Sequence, residues 1–385
     1  MILFFLLIPF SLFAQDFSSK SFTAGLRSSY FTDGGKFDNS FQYYQPEYQD
    51  ETFGEKYSYK RNMKFRVFDY VSSNEHVIID PLDVSFEVLS DKTSFQVGFL
   101  RYRFSETFGF QLLDVANPRD YSEYVFNDLS WAKRSVFGVN SRFKFNSLEV
   151  QLILTLWPNA DRLPYKNSAF DIALGAFDYQ GGVHQRPWLE NPEYGARFKY
   201  LFQNGFDLGG LAYHHFTRPT FNQFNISTGQ IRPTDKMVNS LGASGSYVIQ
   251  DWVLRGDLLF TANDLISGEG LAYKEANHYQ SLLGVDRTWG DYVLGLQTQS
   301  DFSNDRHFGG VRLEKNNLAS WKPSVMLFRN YQAEDRWFQI KNQFAFSNIK
   351  VDLIYDNIDG GNSSKEVFGI YKNNDRFLVD VSLNY

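Results

Sequence analysis

The chain contains no cysteine. That excludes a disulfide framework and an amino-terminal lipid-attachment cysteine, so backbone pairing and packing alone must hold the fold. Beyond the first few residues, no apolar run approaches the roughly 18 residues that a spanning helix needs, which excludes helical membrane spans. Basic excess is also missing: 38 Lys and Arg against 44 Asp and Glu leave a net charge of −6 and a pI near 5.6, which argues against a nucleic-acid partner. Histidine is scarce at six, and proline, at 11 in 385 residues, is too sparse to break up a long series of strands.

What is present begins with residues 1–15, MILFFLLIPFSLFAQ, an apolar stretch ending in the small Ala14 before Gln15 and Asp16. It has the pattern of a secretory signal peptide, expected over residues 1–14, and is too short for a transmembrane anchor. Residues 15–385 then form one unit, with no linker or shift of composition at which to divide them. Aromatics make up 18% of the chain, yet the mean hydropathy is only −0.37. So many rings in so polar a chain must be segregated onto one face of something.

The stretch from Trp131 to Trp157 shows how. At a period of two, Ser135, Phe137, Val139, Ser141, Phe143 and Phe145 share one face, and Arg134, Val136, Gly138, Asn140, Arg142 and Lys144 share the other. The alternation pauses at Asn146-Ser147. It resumes with Leu148, Val150, Leu152, Leu154 and Leu156 against Glu149, Gln151, Ile153, Thr155 and Trp157, the pattern of a tight antiparallel hairpin. Each arm is long enough to cross a bilayer as a tilted strand.

Most of the chain repeats this pattern. Val84, Phe86 and Val88 oppose Asp83, Ser85 and Glu87; Tyr194, Phe198 and Tyr200 oppose Arg197 and Lys199, with the turn signal Asn204-Gly205 close behind; Leu254, Leu258 and Phe260 oppose Arg255 and Asp257. Phe41–Gln45 reads as a weak strand because Pro46 interrupts its ladder. Residues 307–316 and 321–331 read as poorer strands, and 104–130 and 158–191 as long loops. The last strand is expected to run unbroken from 367 to 385 through Asn373-Asn374-Asp375 and to end on the aromatic Tyr385. The expected fold is all-β: a single antiparallel transmembrane β-barrel of about 18 strands, with 16 as the alternative, short periplasmic turns and long extracellular loops. A soluble sandwich would need only about seven to nine strands and a boundary between units, and none is visible. One barrel, apolar outside and polar inside, also leaves no exposed edge. Tyr200, Phe202, Phe206, Trp252 and Trp289 are expected to form interfacial girdles.

Several stretches carry a further likeness: DGGKF at 33–37, QPEY at 45–48, DYVSSNEHVIID at 69–80, FQVGFLRYRFSET at 95–107, LLDVANPRD at 112–120, LPYKNSAF at 163–170 and NDRFLVDVSLNY at 374–385. On these the chain resembles porin-like outer-membrane β-barrels of Gram-negative bacteria. Such proteins often carry Trp-Gly where this chain has Tyr102-Arg103. The resemblance implies a barrel and an outer-membrane location, and no particular cargo.

For function, the patterns point to a channel for passive diffusion or uptake of small solutes, the alternative being a non-conducting barrel that binds or passes hydrophobic molecules or has a structural role at the surface. The lumenal and constriction candidates are Glu106, Asp114, Arg119 and Asp120 in the 104–130 loop, and Arg142, Lys144, Glu149, Arg197, Lys199, Arg255 and Asp257 on inward faces. Because the two signs nearly balance, most inward charges are expected to pair across strands rather than to set a strong selectivity. The loop itself suits either an external loop or a segment folded into the lumen, since Phe108, Phe110, Leu112, Leu113 and Val115 need something to pack on. No catalytic residue, cofactor or metal site is expected: His214 and His215 face opposite sides of a strand, and His76 with Asp80 is a weak cation pattern. The expected partners are outer-membrane lipid, the barrel-assembly machinery through the strand ending in Tyr385, and an unidentified small solute.

Overall fold

The structure is a computed structural model that describes residues 17–33, 36–53, 56–69, 77–105, 107, 109–121, 132–159, 161–162, 178–179, 191–217, 223–225, 230–232, 236–267, 273–316, 320–333, 335–360, 368, 372 and 375–384. Residues 1–16, which include the stretch expected to be a signal peptide, and Glu106, Phe108 and Tyr385 lie outside these residues. In chain order the strands are β1 (Phe17–Asp33), β2 (Lys36–Phe53), β3 (Ser58–Asp69), β4 (Val77–Leu89), β5 (Thr93–Leu100), β6 (Val136–Phe145), β7 (Leu148–Trp157), β8 (Asp178–Tyr179), β9 (Glu193–Leu201), β10 (Phe206–Phe216), β11 (Gln223–Asn225), β12 (Gln230–Arg232), β13 (Met237–Ile249), β14 (Trp252–Ser267), β15 (Tyr273–Trp289), β16 (Tyr292–Asp301), β17 (Arg306–Lys315), β18 (Trp321–Asn330), β19 (Asp335–Phe346), β20 (Ile349–Asp359) and β21 (Arg376–Asn384).

Eighteen of them form one antiparallel sheet in which each strand pairs with the next. The ring is closed by β1 and β21, paired from Thr23↔Asn384 to Phe31↔Arg376. Closure removes every edge that would otherwise present unpaired backbone groups. The remaining three, β8, β11 and β12, form a small separate sheet that joins the loop after β7 to the loop after β10, an element the sequence pattern does not announce. The connections after β2, β4, β6, β9, β13, β15, β17 and β19 are short, and the long ones all leave the opposite end. Both ends of the strand series lie on the short-turn side, as an even count requires.

The faces sort as alternation predicts. Leu152, Phe198, Leu241, Leu258, Leu283, Leu296 and Leu353 are exposed outward, whereas Asn140, Gln151, Asp257, Gln297 and Asp352 are buried inward. At the β6–β7 turn Asn146 takes φ 54°, the left-handed region that asparagine tolerates.

Three local expectations are corrected. A bulge between Phe137 and Gly138 pairs Gly138 with Thr155 but Phe137 with Trp157. The extra residue carries Trp157 to the outward face, where its ring lies 6.4 Å from Phe99. Pro46 does not end its strand: β1–β2 pairing runs through Ala24↔Pro46, while the β2–β3 ladder steps from Tyr44↔Val67 to Glu47↔Lys64. The missing N–H thus falls at a gap. The last strand starts at Arg376 rather than 367, and Asp375 just before it accepts hydrogen bonds from Ile358 N and Asn357 Nδ2, both 2.9 Å. That side chain ties down the turn into the last strand.

Candidate functional site: a bar across the lumen

After Leu100 the backbone leaves the wall and turns into the barrel. Its base is clamped by Asn117, whose Oδ1 accepts from Tyr102 N (2.5 Å) and whose Nδ2 donates to Leu100 O (3.1 Å) and Arg134 O (2.8 Å). One amide side chain at the loop's return therefore satisfies the backbone at the end of β5, at the loop's departure and just before β6, as buried polar groups require. Asp114 braces the interior: it accepts from Phe104 N, from Ser105 N at 3.1 Å and from Lys133 Nζ. Burial lowers the pKa of the Lys133 ammonium, against the attraction of Asp114.

The apolar side chains of this segment pack on the inner wall. Tyr102, Phe104, Leu112, Leu113 and Ala116 form one buried cluster with Val136, Ile153, Leu211, Tyr213, Leu259 and Leu282, the inward residues of β6, β7, β10, β14 and β15. The tip, Gly109-Phe110, reaches β17 and β18, where the Phe110 ring lies 5.5 Å from Phe308 and 4.9 Å from Phe328. Phe328 in turn stacks on Trp337 at 5.7 Å, and Phe368 closes the group at 6.3 Å from both Phe308 and Trp337. Gly109 has φ +72°, and a methyl there would collide with the Phe328 ring. Round the ring, β7, β9, β10 and β13–β17 separate β6 from β18 on one side, and β19–β21 with β1–β5 separate them on the other. Base and tip therefore stand on opposite walls. The segment is a bar across the lumen, lying against the β7–β17 arc.

A buried charged network ties the bar's return and the next loop to the wall. Asp120 faces Arg162 Nη1 at 2.9 Å and Arg66 Nη1 at 3.5 Å, and Arg162 also grips Asp80 at 2.6 Å. All but Asp80 are 1% exposed as side chains, so the charges hold only because they are paired and hydrogen-bonded. Arg134 is also buried; burial, reinforced by Arg162, pushes its guanidinium down to about 10, which leaves it charged at neutral pH.

The candidates thus divide. Asp114 and Asp120 are structural braces of the bar, while Arg119 is exposed and donates its backbone N–H to Asp161 at 2.7 Å. Asp80 is engaged by Arg162 rather than poised for a cation, and His76 lies outside the described residues. On the walls, pairing dominates: Lys199–Asp207 at 3.3 Å, Arg255–Asp286, Lys64–Glu47 at 2.6 Å and Lys341–Asp352 at 2.9 Å. Asp257 is buried on the inner face. Arg142 and Lys144 stay exposed, Glu149 stands between Lys144 and Lys199 in register, and Arg197 lies over the Phe104 ring at 5.8 Å. His214 and His215 do face opposite ways: His214 meets Asn239 at 2.8 Å and His215 meets Ser240 at 2.8 Å.

The wall residues that receive the bar went unread in the sequence, although a signal existed. At Leu152-Ile153-Leu154, Leu258-Leu259 and Leu282-Leu283 both faces of a strand are apolar. An inward apolar residue in a polar lumen requires a cover.

No protein-family profile matches the chain, and no curated protein sequence matches it. Solved structures do. OccAB2 of Acinetobacter baumannii superposes with a TM-score of 0.60 at 9% identity, over 97% of this chain and 98% of that one. OccK2 (OpdF) of Pseudomonas aeruginosa gives 0.60 at 10%, over 97% and 98%, and the outer membrane protein OpdK of the same organism gives 0.56 at 11%, over 97% and 100%. The chain shares the barrel fold of these proteins over 97% of its length.

Proposed function

We propose that the protein is an outer-membrane channel for passive diffusion or uptake of small solutes, with the bar as its constriction. The observation that carries this reading is the asymmetry of the lumen. The bar lies against the β7–β17 arc and leaves the β19–β5 arc beside it, where Lys341, Lys64, Asn62 and Gln96 face inward half-buried, while Asp352, Asp356, Arg376, Ser85, Ile354, Ile358 and Leu378 are buried. An 18-stranded barrel is too wide for wall side chains to fill, so a bar covering only part of the section leaves a wetted passage. Most wall charges are cancelled by a partner; exposed Arg103, Arg142 and Lys144 then bias the passage modestly toward anions. The polar lining disfavours the alternative, a carrier of hydrophobic molecules. The last strand, through Tyr385, is the segment we assign to recognition by the assembly machinery. Proteoliposome swelling tests the function: entry of small sugars and organic anions is expected, and an intact, heat-modifiable barrel that admits neither would overturn it.

A further inference from the structure

The outward face of β17–β19 shows two boundaries. At the short-turn end, Lys315 Nζ lies 5.4 Å above the Tyr292 ring, and the Arg287 guanidinium 4.8 Å above Trp252, cations held over rings where lipid meets water. An exposed aliphatic zone follows, with Val311 and Leu313 on β17, Val325 and Leu327 on β18 and Ile340 on β19. At the long-loop end the zone stops at two exposed arginines, Arg329 and Arg336, directly opposite one another in the β18–β19 register. From outward Trp321 to Arg329 the strand climbs roughly 26 Å, or about 20 Å after tilt, close to the height of a barrel's apolar band. The pair therefore stands at the outer lipid boundary, with Leu327 and Phe338, the next outward pair in register, beneath it.

Two like charges face to face weaken a sheet unless something neutralises them. Asp359, opposite Arg336 in the β19–β20 register, accepts from its guanidinium at 2.6 Å, both side chains being about half exposed. Among the described residues nothing does the same for Arg329, which makes no side-chain ion pair or hydrogen bond. One acid for two adjacent guanidinia leaves a cationic fork open to the membrane side. We propose that Arg329 and Arg336 bind the phosphate of a phosphorylated glycolipid headgroup in the outer leaflet. Guanidinium forks match phosphate oxygens in bidentate geometry. The aliphatic residues below the fork receive the acyl chains, which distinguishes a lipid headgroup from free phosphate, and Tyr331, 63% exposed beyond the fork, offers a hydroxyl at headgroup level.

The inference rests on the outer-membrane reading, and native mass spectrometry of the full detergent-solubilised protein tests it. Bis-phosphorylated lipid A is the probe, with inorganic phosphate and phosphatidylethanolamine as comparisons. Wild type is expected to retain lipid A, with affinity falling about tenfold on Arg329→Gln with Arg336→Gln and rising on Asp359→Asn. Lys315→Gln, an outward cation at the opposite boundary, is expected to change nothing. Equal retention by the double variant, equal loss with Lys315→Gln, or inorganic phosphate displacing lipid A at equal concentration would each overturn the proposal. Should the double variant fail to fold, Arg329→Gln alone, at an exposed strand end, is expected to lower retention, and unchanged retention counts against the site. Swelling separates the two readings: a barrel that admits solutes but ignores lipid A removes only the lipid site, and one that admits none removes the channel.

Discussion

Replacing Phe110 with alanine should release the tip of the bar while leaving the barrel intact. Phe110 is half-buried and touches Phe308 and Phe328 through its ring. A fully buried Phe→Ala change costs about 3–5 kcal/mol, so a half-buried one should cost about 2 kcal/mol of docking energy. At about 1.4 kcal/mol per tenfold, that shifts the docked-to-undocked ratio roughly thirtyfold. No strand pairing involves Phe110, so heat-modifiable mobility should be unchanged. Single-channel recording should show a noisier current with a second, larger level. Gly109→Ala, which drives a methyl into Phe328 from a backbone position that disfavours a side chain, should give the same signature by a different route. Wild-type conductance and noise in both variants would refute the docking argument.

The charged network and the exposed charges give two further expectations. Arg162→Met removes the shared partner of Asp80 and Asp120; breaking a buried pair from one side costs about 3–5 kcal/mol, and limited proteolysis of the folded barrel should then cut the two long loops faster. Protection equal to wild type would mean that the network does not hold them. Arg142→Glu with Lys144→Glu, both exposed on the inner face, should move the reversal potential in a salt gradient toward cation preference, and an unmoved potential would place the limiting charges elsewhere.

How much was legible beforehand depended on whether the information was local. Alternation along each strand predicted the strand count and the places of the short turns, because side-chain period and turn chemistry are properties of neighbouring residues. The bulge that turns Trp157 outward depends on how Phe137 meets its partner across the ladder, and the extension of β2 past Pro46 depends on a gap in the neighbouring strand. The bar is less local still. Its apolar residues were visible and needed a surface, but the surface is assembled from single inward residues on strands far apart in sequence, such as Ile153, Leu211, Leu259 and Leu282. Only closure of the ring brings them together. The pairing of Asp120 with Arg66 and Arg162 was hidden for the same reason, since an aspartate in a loop reads equally well as a solvated turn residue.

The most direct test of the central claim, a closed barrel whose passage runs beside an inward-folded bar, is single-channel conductance in planar bilayers of the wild-type protein and of a variant in which residues 103–116 are replaced by a short Gly-Ser link. Stepwise openings in the wild type and larger steps in the variant are the expected result. A wild type with no steps, or a variant whose steps match the wild type's, would contradict it.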